Sequence, residues 1–161
     1  MADHIDRIVA QWRRERPDLD VTALGVLGRL FRAAQLADLA LAEMLADHEL
    51  PSGWFDLLAA LRRAGTPYEL NPTVLMEATL LSSGGITKRL DRLAEAGLVE
   101  RRSDPADRRG TLVRLTRKGK SVIDRAIVEH VRNEELLLQS LAPREQRALD
   151  DLLRTFLAGL E

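Results

Sequence analysis

The segment from residue 81 to residue 119 constrains the fold more than any other part of the chain. It begins with apolar residues at helical spacing, Ile86, Leu90 and Leu93, which lie within about 40° of one another on a helical wheel. A glycine ends this pattern, and residues 98–115 then form two alternating runs around a basic loop. A short helix followed at once by a basic hairpin is typical of a winged helix-turn-helix, whose helix enters the DNA major groove while its hairpin reaches backbone or minor groove.

Positive charge is concentrated in the same segment. The 161-residue chain has a formal net charge of −1. Residues 82–120 nevertheless contain eleven Lys or Arg and five Asp or Glu, a net of +6, which leaves −7 for the rest. A basic region on an otherwise acidic protein is expected when only one face approaches phosphates. The alternative interpretation is an ordinary solvated charged surface.

The composition indicates a soluble protein without a membrane span, disulfides or an evident metal site. A content of 45% hydrophobic and 30% charged residues fits one soluble domain with helical extensions. Because no apolar run approaches the roughly 18 residues of a membrane span and no signal peptide is visible, we expect a cytoplasmic protein. The absence of cysteine excludes disulfides and thiol-based sensing. His4, His48 and His130 are far apart in sequence, so no metal or other cofactor is expected, although folding could bring two of them together.

Apolar periodicity predicts six further helices around this segment. The expected helices are a first one ending near Pro17, a long one over about 21–48, one from Pro51 to Arg63, a short one over 72–80 with Asn71 as its N-cap, one from the N-cap Thr116 to about Ser140, and a last one from Pro143. Ser82 or Ser83 is expected to cap the helix that contains Ile86. The predicted fold is mainly α with a small β-hairpin wing.

The two ends of the chain carry apolar faces that a small winged helix cannot cover. We therefore expect the chain to form a homodimer through its terminal helices, with segments 1–50 and 118–161 used for dimerisation and 51–117 for DNA binding. A symmetric dimer also places two reading helices about one DNA turn apart, as a pseudo-palindromic site on double-stranded DNA requires.

Taken together, these motifs resemble the MarR family of transcriptional regulators. The matching segments are 82–87, 90–93, 96–99, 104–105, 107–110 and 115–116, together with Gly119. The resemblance implies a dimeric regulator with interlocking terminal helices, most often a repressor that a small molecule releases from DNA. By position it assigns DNA contacts to Ser83, Thr87, Lys88, Arg92, Arg108 and Arg109. Ser82 and Gly84, at the start of the same helix, are expected to contact DNA as well. It assigns the bracing of the wing to Asp107.

A finer resemblance is to the urate-responsive branch of that family, which has an extra N-terminal helix. By that analogy Trp12, Asp56 and Arg89 line a ligand pocket between the N-terminal helix, the second core helix and the recognition helix. An aromatic ring would stack on a planar heterocycle, Arg89 would pair with an anion, and Asp56 would respond to the new charge. Alternatively, Trp12 is a packing residue, Asp56 a surface carboxylate and Arg89 a phosphate contact.

Three classes of function fit this chain to different degrees. A ligand-responsive DNA-binding repressor accounts best for the basic helix and hairpin. The second class is a dimerisation or scaffold module that has the winged-helix shape without binding DNA. An enzyme fits worst, because no nucleophile-base set, phosphate-binding glycine loop or metal-ligand spacing is visible.

Overall fold

Seven helices and three short strands make up the part of the chain that the structure, a computed structural model, describes: residues 2–79, 85–105, 107 and 110–161. In chain order they are α1 (His4–Glu15), α2 (Thr22–Ala46), α3 (Ser52–Arg63), β1 (Glu69–Leu70), α4 (Pro72–Glu77), α5 (Ile86–Glu95), β2 (Val99–Ser103), β3 (Thr111–Leu115), α6 (Arg117–Leu137) and α7 (Pro143–Ala158). Within those ranges, no helix is both long and apolar enough to span a bilayer.

The chain divides into two compact units, residues 1–40 and residues 41–161. In the first unit, α1 packs on the start of α2 through Ile5 and Val9, which form a small buried cluster with Val21. Gly28 allows this close approach, since a Cβ there would lie 3.2 Å from a methyl carbon of Ile5. The first predicted helix is confirmed, and it ends at Glu15.

Ionic contacts fix the start of α1 within this unit. Asp3 caps α1 by accepting a hydrogen bond from the Asp6 backbone N–H, and the Asp6 carboxylate accepts one from the Asp3 N–H. Arg29 of α2 donates to both carboxylates. The Asp3 backbone N–H and the Arg29 guanidinium hold the pKa of Asp6 below its usual range. These exposed contacts set the position of α1 on α2 more than they add stability.

The second unit has one hydrophobic core, enclosed by α3, α4, α5, α6 and the sheet. Its largest fully buried side chains are Leu57, Leu58, Leu61, Leu75, Leu90, Leu93, Val113 and Ile123. Helix α3 and the apolar stripe predicted for α5 supply five of these eight side chains. Burial at this level is worth roughly 1.5–3 kcal/mol for each such side chain.

The sheet has one more strand than the sequence predicts. β2 and β3 pair antiparallel from Val99 opposite Leu115 to Ser103 opposite Thr111, which confirms the hairpin. β1 adds to the free edge of β3, with Glu69 opposite Arg114, so the strand order is β1-β3-β2. A strand of two residues is too short to show the alternation by which strands are recognised in a sequence.

The predicted helix caps are confirmed at two of the three helices for which they are named. The Asn71 side chain accepts from the Val74 N–H, and the Thr116 hydroxyl accepts from the Gly119 N–H. The prediction of a serine cap on α5 is wrong, because the N-cap is Gly85 in the left-handed region at φ +87°. Ser82 and Ser83 themselves lie outside the described residues.

The last helix, α7, is amphipathic but buries none of its side chains against its own chain. Large apolar side chains are also exposed on α2 and on the second half of α6, with Phe31 at 67% and Leu152 of α7 at 69% exposure. The exposed set is Val26, Phe31, Leu36, Leu39, Val128, Val131, Leu136, Leu137, Leu138, Leu149, Leu152, Phe156, Leu157 and Leu160. So many exposed apolar side chains are characteristic of a protein-protein interface.

Candidate DNA-binding interface

The helix α5 has one buried and one exposed face, as the sequence predicts. Leu90 and Leu93 are 2% and 0% exposed, and Ile86 packs against the same core. The opposite face presents the exposed side chains of Thr87, Lys88, Asp91, Arg92 and Glu95. Because α5 follows α4 directly in a helix-turn-helix order, its exposed face is the one that can enter a major groove.

Several cations of the basic segment are engaged within the protein. Arg101 of β2 donates to Asp91 of α5 at 2.6 Å. Arg114 donates to the Pro67 carbonyl at 3.2 Å, and Lys118 donates to the Ala96 carbonyl at 2.8 Å. These side chains hold the hairpin, α5 and α6 together. The charge of +6 for residues 82–120 is therefore not one uniform DNA-facing surface, which a count of charges cannot reveal.

Other cations of this segment point away from such contacts. Lys88, Arg92 and Arg117 are exposed, and none of the three makes an ion pair with another described residue. Lys88 and Arg92 are four residues apart on the exposed face of α5, so their side chains are neighbours on one face. The structure thus places Lys88 and Arg92, which the sequence predicts as DNA contacts, together on the exposed face of α5.

The wing is closed by two backbone hydrogen bonds between its ends. The Asp104 N–H donates to the Gly110 carbonyl at 3.0 Å, and the Gly110 N–H donates to the Asp107 carbonyl at 2.8 Å. A Cβ at Gly110 would lie 2.9 Å from the Asp104 Cβ, so this turn requires a glycine. Asp107 therefore contributes its backbone carbonyl to the hydrogen bond that closes the loop. Arg108 and Arg109, the predicted wing contacts, lie outside the described residues, as do Ser82, Ser83 and Gly84.

Arg89 lies on the border between the two faces of α5 and turns toward α3. Its Nε would lie 2.9 Å from a Cβ built at Gly53, in the first turn of α3. Asp56, one turn further along α3, is half-buried. Arg89 and Asp56 thus belong to two packed helices of the second unit. Trp12, the third predicted ligand residue, belongs to the first unit and is 45% exposed.

A second ionic group, which we call the α6 brace, joins the sheet side of α3 to α6. Asp124 of α6 accepts hydrogen bonds of 2.6 Å from both Lys120 and Arg62. These two cations hold the pKa of the Asp124 carboxyl below its usual range. Both cations also face the ring of Tyr68, at 5.0 Å for Arg62 and 5.7 Å for Lys120. Lys120 is therefore occupied in positioning α6.

The fold and this surface define a winged helix-turn-helix protein of the DNA-binding regulator class. The MarR family model matches residues 48–110, which contain α3, β1, α4, α5 and β2. The HTH-type transcriptional regulator PecS of Dickeya dadantii is 40% identical over 149 residues, covering 92% of this chain and 90% of PecS. The chain belongs to the MarR family and is a MarR-type DNA-binding transcriptional regulator.

Two solved structures of regulators from other bacteria are similar to this chain in fold. A cysteine-to-serine mutant of MarR from E. coli complexed with operator DNA has a TM-score of 0.72 and 29% identity, covering 91% of this chain and 97% of that one. BpsR of Bordetella bronchiseptica, whose DNA binding is regulated by 6-hydroxynicotinic acid, has a TM-score of 0.73 and 27% identity, covering 81% and 91%. The relatives are transcriptional regulators and not enzymes.

Proposed function

We propose that this protein is a cytoplasmic repressor that binds a pseudo-palindromic operator as a homodimer. The main support for DNA contact is the pair of exposed side chains Lys88 and Arg92 on α5. In this proposal Ser82, Ser83, Gly84 and Thr87 contact DNA around the start of α5, and Arg108 and Arg109 contact it from the wing. Backbone, hydroxyl and guanidinium groups of these kinds are suited to phosphates and base edges.

The unpartnered apolar surface supports the homodimer. An amphipathic helix is stable when its apolar face is covered, yet none of the side chains of α7 is buried within its own chain. A second copy presents the same apolar residues from its own α6 and α7, so a two-fold pairing is self-complementary. Pairing these ends also fixes the distance between the two α5 helices, which must be about 34–36 Å for adjacent major grooves on one DNA face.

We further propose that a small aromatic anion such as urate releases the repressor from its operator. Arg89 is the residue on which this proposal depends, since it belongs to α5 and yet turns toward α3. An anion paired with Arg89 would act on the helix that also carries Lys88 and Arg92. Asp56, on the helix toward which Arg89 turns, is assigned to the same ligand. The regulation of BpsR by 6-hydroxynicotinic acid supports an aromatic acid as the chemical class.

The DNA contact is tested with the intergenic region beside the protein's own gene. We expect binding to an inverted repeat in that region at least 1000-fold tighter than to unrelated DNA of equal length, the lower end of specific recognition. Binding of the two DNAs with equal affinity would favour the alternative, a dimerisation or scaffold module that lacks a DNA function.

The ligand is tested by titrating urate into the operator complex. We expect urate to release the unmodified protein, and Arg89→Ala to bind the operator but resist release. Lys88→Ala is the matched control, because it removes a neighbouring charge from the outward face and should weaken DNA binding while keeping the response. Normal release of Arg89→Ala would refute the ligand assignment without affecting the DNA-binding proposal.

A further inference from the structure

The C-terminal end of α5 is fastened to the first turn of α6 by consecutive backbone groups. Just after α5, the Gly97 N–H donates to the Ala94 carbonyl and the Leu98 N–H donates to the Leu93 carbonyl. These two hydrogen bonds end the helix in a Schellman motif. The carbonyls of Ala96, Gly97 and Leu98 lie just beyond these bonds. All three accept hydrogen bonds from the residues that begin α6.

The Thr116 hydroxyl performs two roles in this connection. It accepts from the Gly119 N–H at 2.9 Å, which caps α6, and it donates to the Gly97 carbonyl at 2.7 Å. Its backbone N–H also donates to the Leu98 carbonyl at 3.1 Å. One residue therefore caps the second helix while it holds the end of the first.

Lys118 completes the connection from the other side. Its Nζ donates to the Ala96 carbonyl at 2.8 Å, at the C-terminal end of α5. A cation at this position interacts favourably with the negative end of the helix dipole. Gly119 allows α6 to approach this closely, because a Cβ built at this position would overlap the Leu98 carbonyl. We call Thr116, Lys118 and Gly119 the α5–α6 bracket.

We infer that Lys118 is a positioning residue for DNA binding. It holds the end of α5 on α6 and so sets the angle at which Lys88 and Arg92 meet the operator, without contacting DNA itself. This inference rests on the proposed function for its effect on the operator. The bracket itself is a property of the free protein and can be measured without DNA.

The DNA-free test is amide hydrogen exchange in the intact protein. Lys118→Met keeps the aliphatic part of the side chain and removes the charge, so exchange of the amides at 92–98 should rise about two- to fivefold, the range of a helix-terminal charge contact. Amides in α3 should not change. Arg117→Met is the matched control, since it removes a neighbouring exposed charge and should leave α5 unaffected. Equal exchange in Lys118→Met and the unmodified protein would overturn the inference.

The operator test separates positioning from direct contact. Lys118→Met should lower the affinity about two- to fivefold and reduce the preference for the natural half-site spacing over spacings changed by one base pair, while the salt dependence keeps its slope. Lys118→Arg, which retains a donor cation, should restore both properties. A slope smaller by about 0.9 would mean that Lys118 contacts phosphate, and the inference would fail. If the unmodified protein binds no operator, the proposed function fails, while the exchange measurement still decides whether Lys118 holds α5.

Discussion

The helices α5 and α7 are both amphipathic, but only α5 finds its partners within its own chain. α5 buries Leu90 and Leu93, pairs Asp91 with Arg101 and is fastened at its end by the α5–α6 bracket. α7 is longer, at 16 residues, and buries none of them. The helix that we propose contacts DNA is thus fixed within the monomer, whereas the helix that we propose joins two copies has no buried side chain in its own chain.

The largest effect is expected when α7 is removed, since none of the side chains of this helix is buried within its own chain. Deleting residues 143–161 should give a monomer or aggregate in sedimentation, because the apolar residues 136–138 at the end of α6 lose the surface that we propose covers them. The remaining helices of the second unit should stay folded and keep their helical signal, as none of the buried side chains lies in α7. A well-behaved dimer of the shortened chain would contradict the interface proposal.

A large loss of stability is expected from Gly119→Ala, which tests how firmly α5 is fixed. The added Cβ would overlap the Leu98 carbonyl, so the backbone of α5 or α6 must shift. The free energy of unfolding should fall by about 3 kcal/mol, near the upper end of overpacking costs. Gly159→Ala is the matched control near the end of α7, where an added Cβ would lie 3.4 Å from the Phe156 carbonyl oxygen and should cost little. Similar denaturation midpoints for the two variants would mean that the bracket is not tight.

A smaller effect, on binding alone, is expected from the exposed face of α5. Replacing Lys88 and Arg92 by glutamine should reduce the slope of log affinity against log salt concentration by about 1.8, since each phosphate contact contributes about 0.9. Replacing Arg144 and Arg147, two exposed residues of α7, removes the same charge and should leave that slope unchanged. An undiminished slope in the α5 variant would exclude this pair from the DNA contacts.

Features that depend on local sequence could be predicted, whereas features that depend on contacts between distant segments could not. Helix α5, its buried stripe and the hairpin follow from local periodicity, and Asn71 and Thr116 cap their helices as expected. Local patterns could not reveal β1, whose two residues are a strand only because β3 lies beside them. Local patterns also could not show that Lys118 donates to the Ala96 carbonyl and Lys120 to the Asp124 carboxylate. A count of charges does not say which carbonyl or carboxylate comes to lie beside each cation.

The smallest effect is expected at the α6 brace, whose residues Lys120 and Asp124 lie in the first half of α6. Lys120 and Arg62 lower the pKa of Asp124 from its ordinary value of 3.8, so the carboxylate stabilises the fold at neutral pH. This contribution should be lost as the pH falls below about 4 and through the lowered pKa of the folded state. Asp124→Asn should therefore reduce the free energy of unfolding by less than about 1 kcal/mol at pH 7, because the pair is partly exposed.

The pH dependence distinguishes this ionic role from simple packing. The difference between Asp124→Asn and the unmodified protein, measured by urea denaturation, should shrink as the carboxyl group becomes protonated in both the folded and the unfolded state. Asp150→Asn is the matched control on α7, where the partner Arg154 is exposed and the expected difference is near zero at every pH. A difference for Asp124→Asn that stays constant from pH 7 to pH 3 would show that its side chain acts by shape, and the brace would then hold α6 without depending on charge.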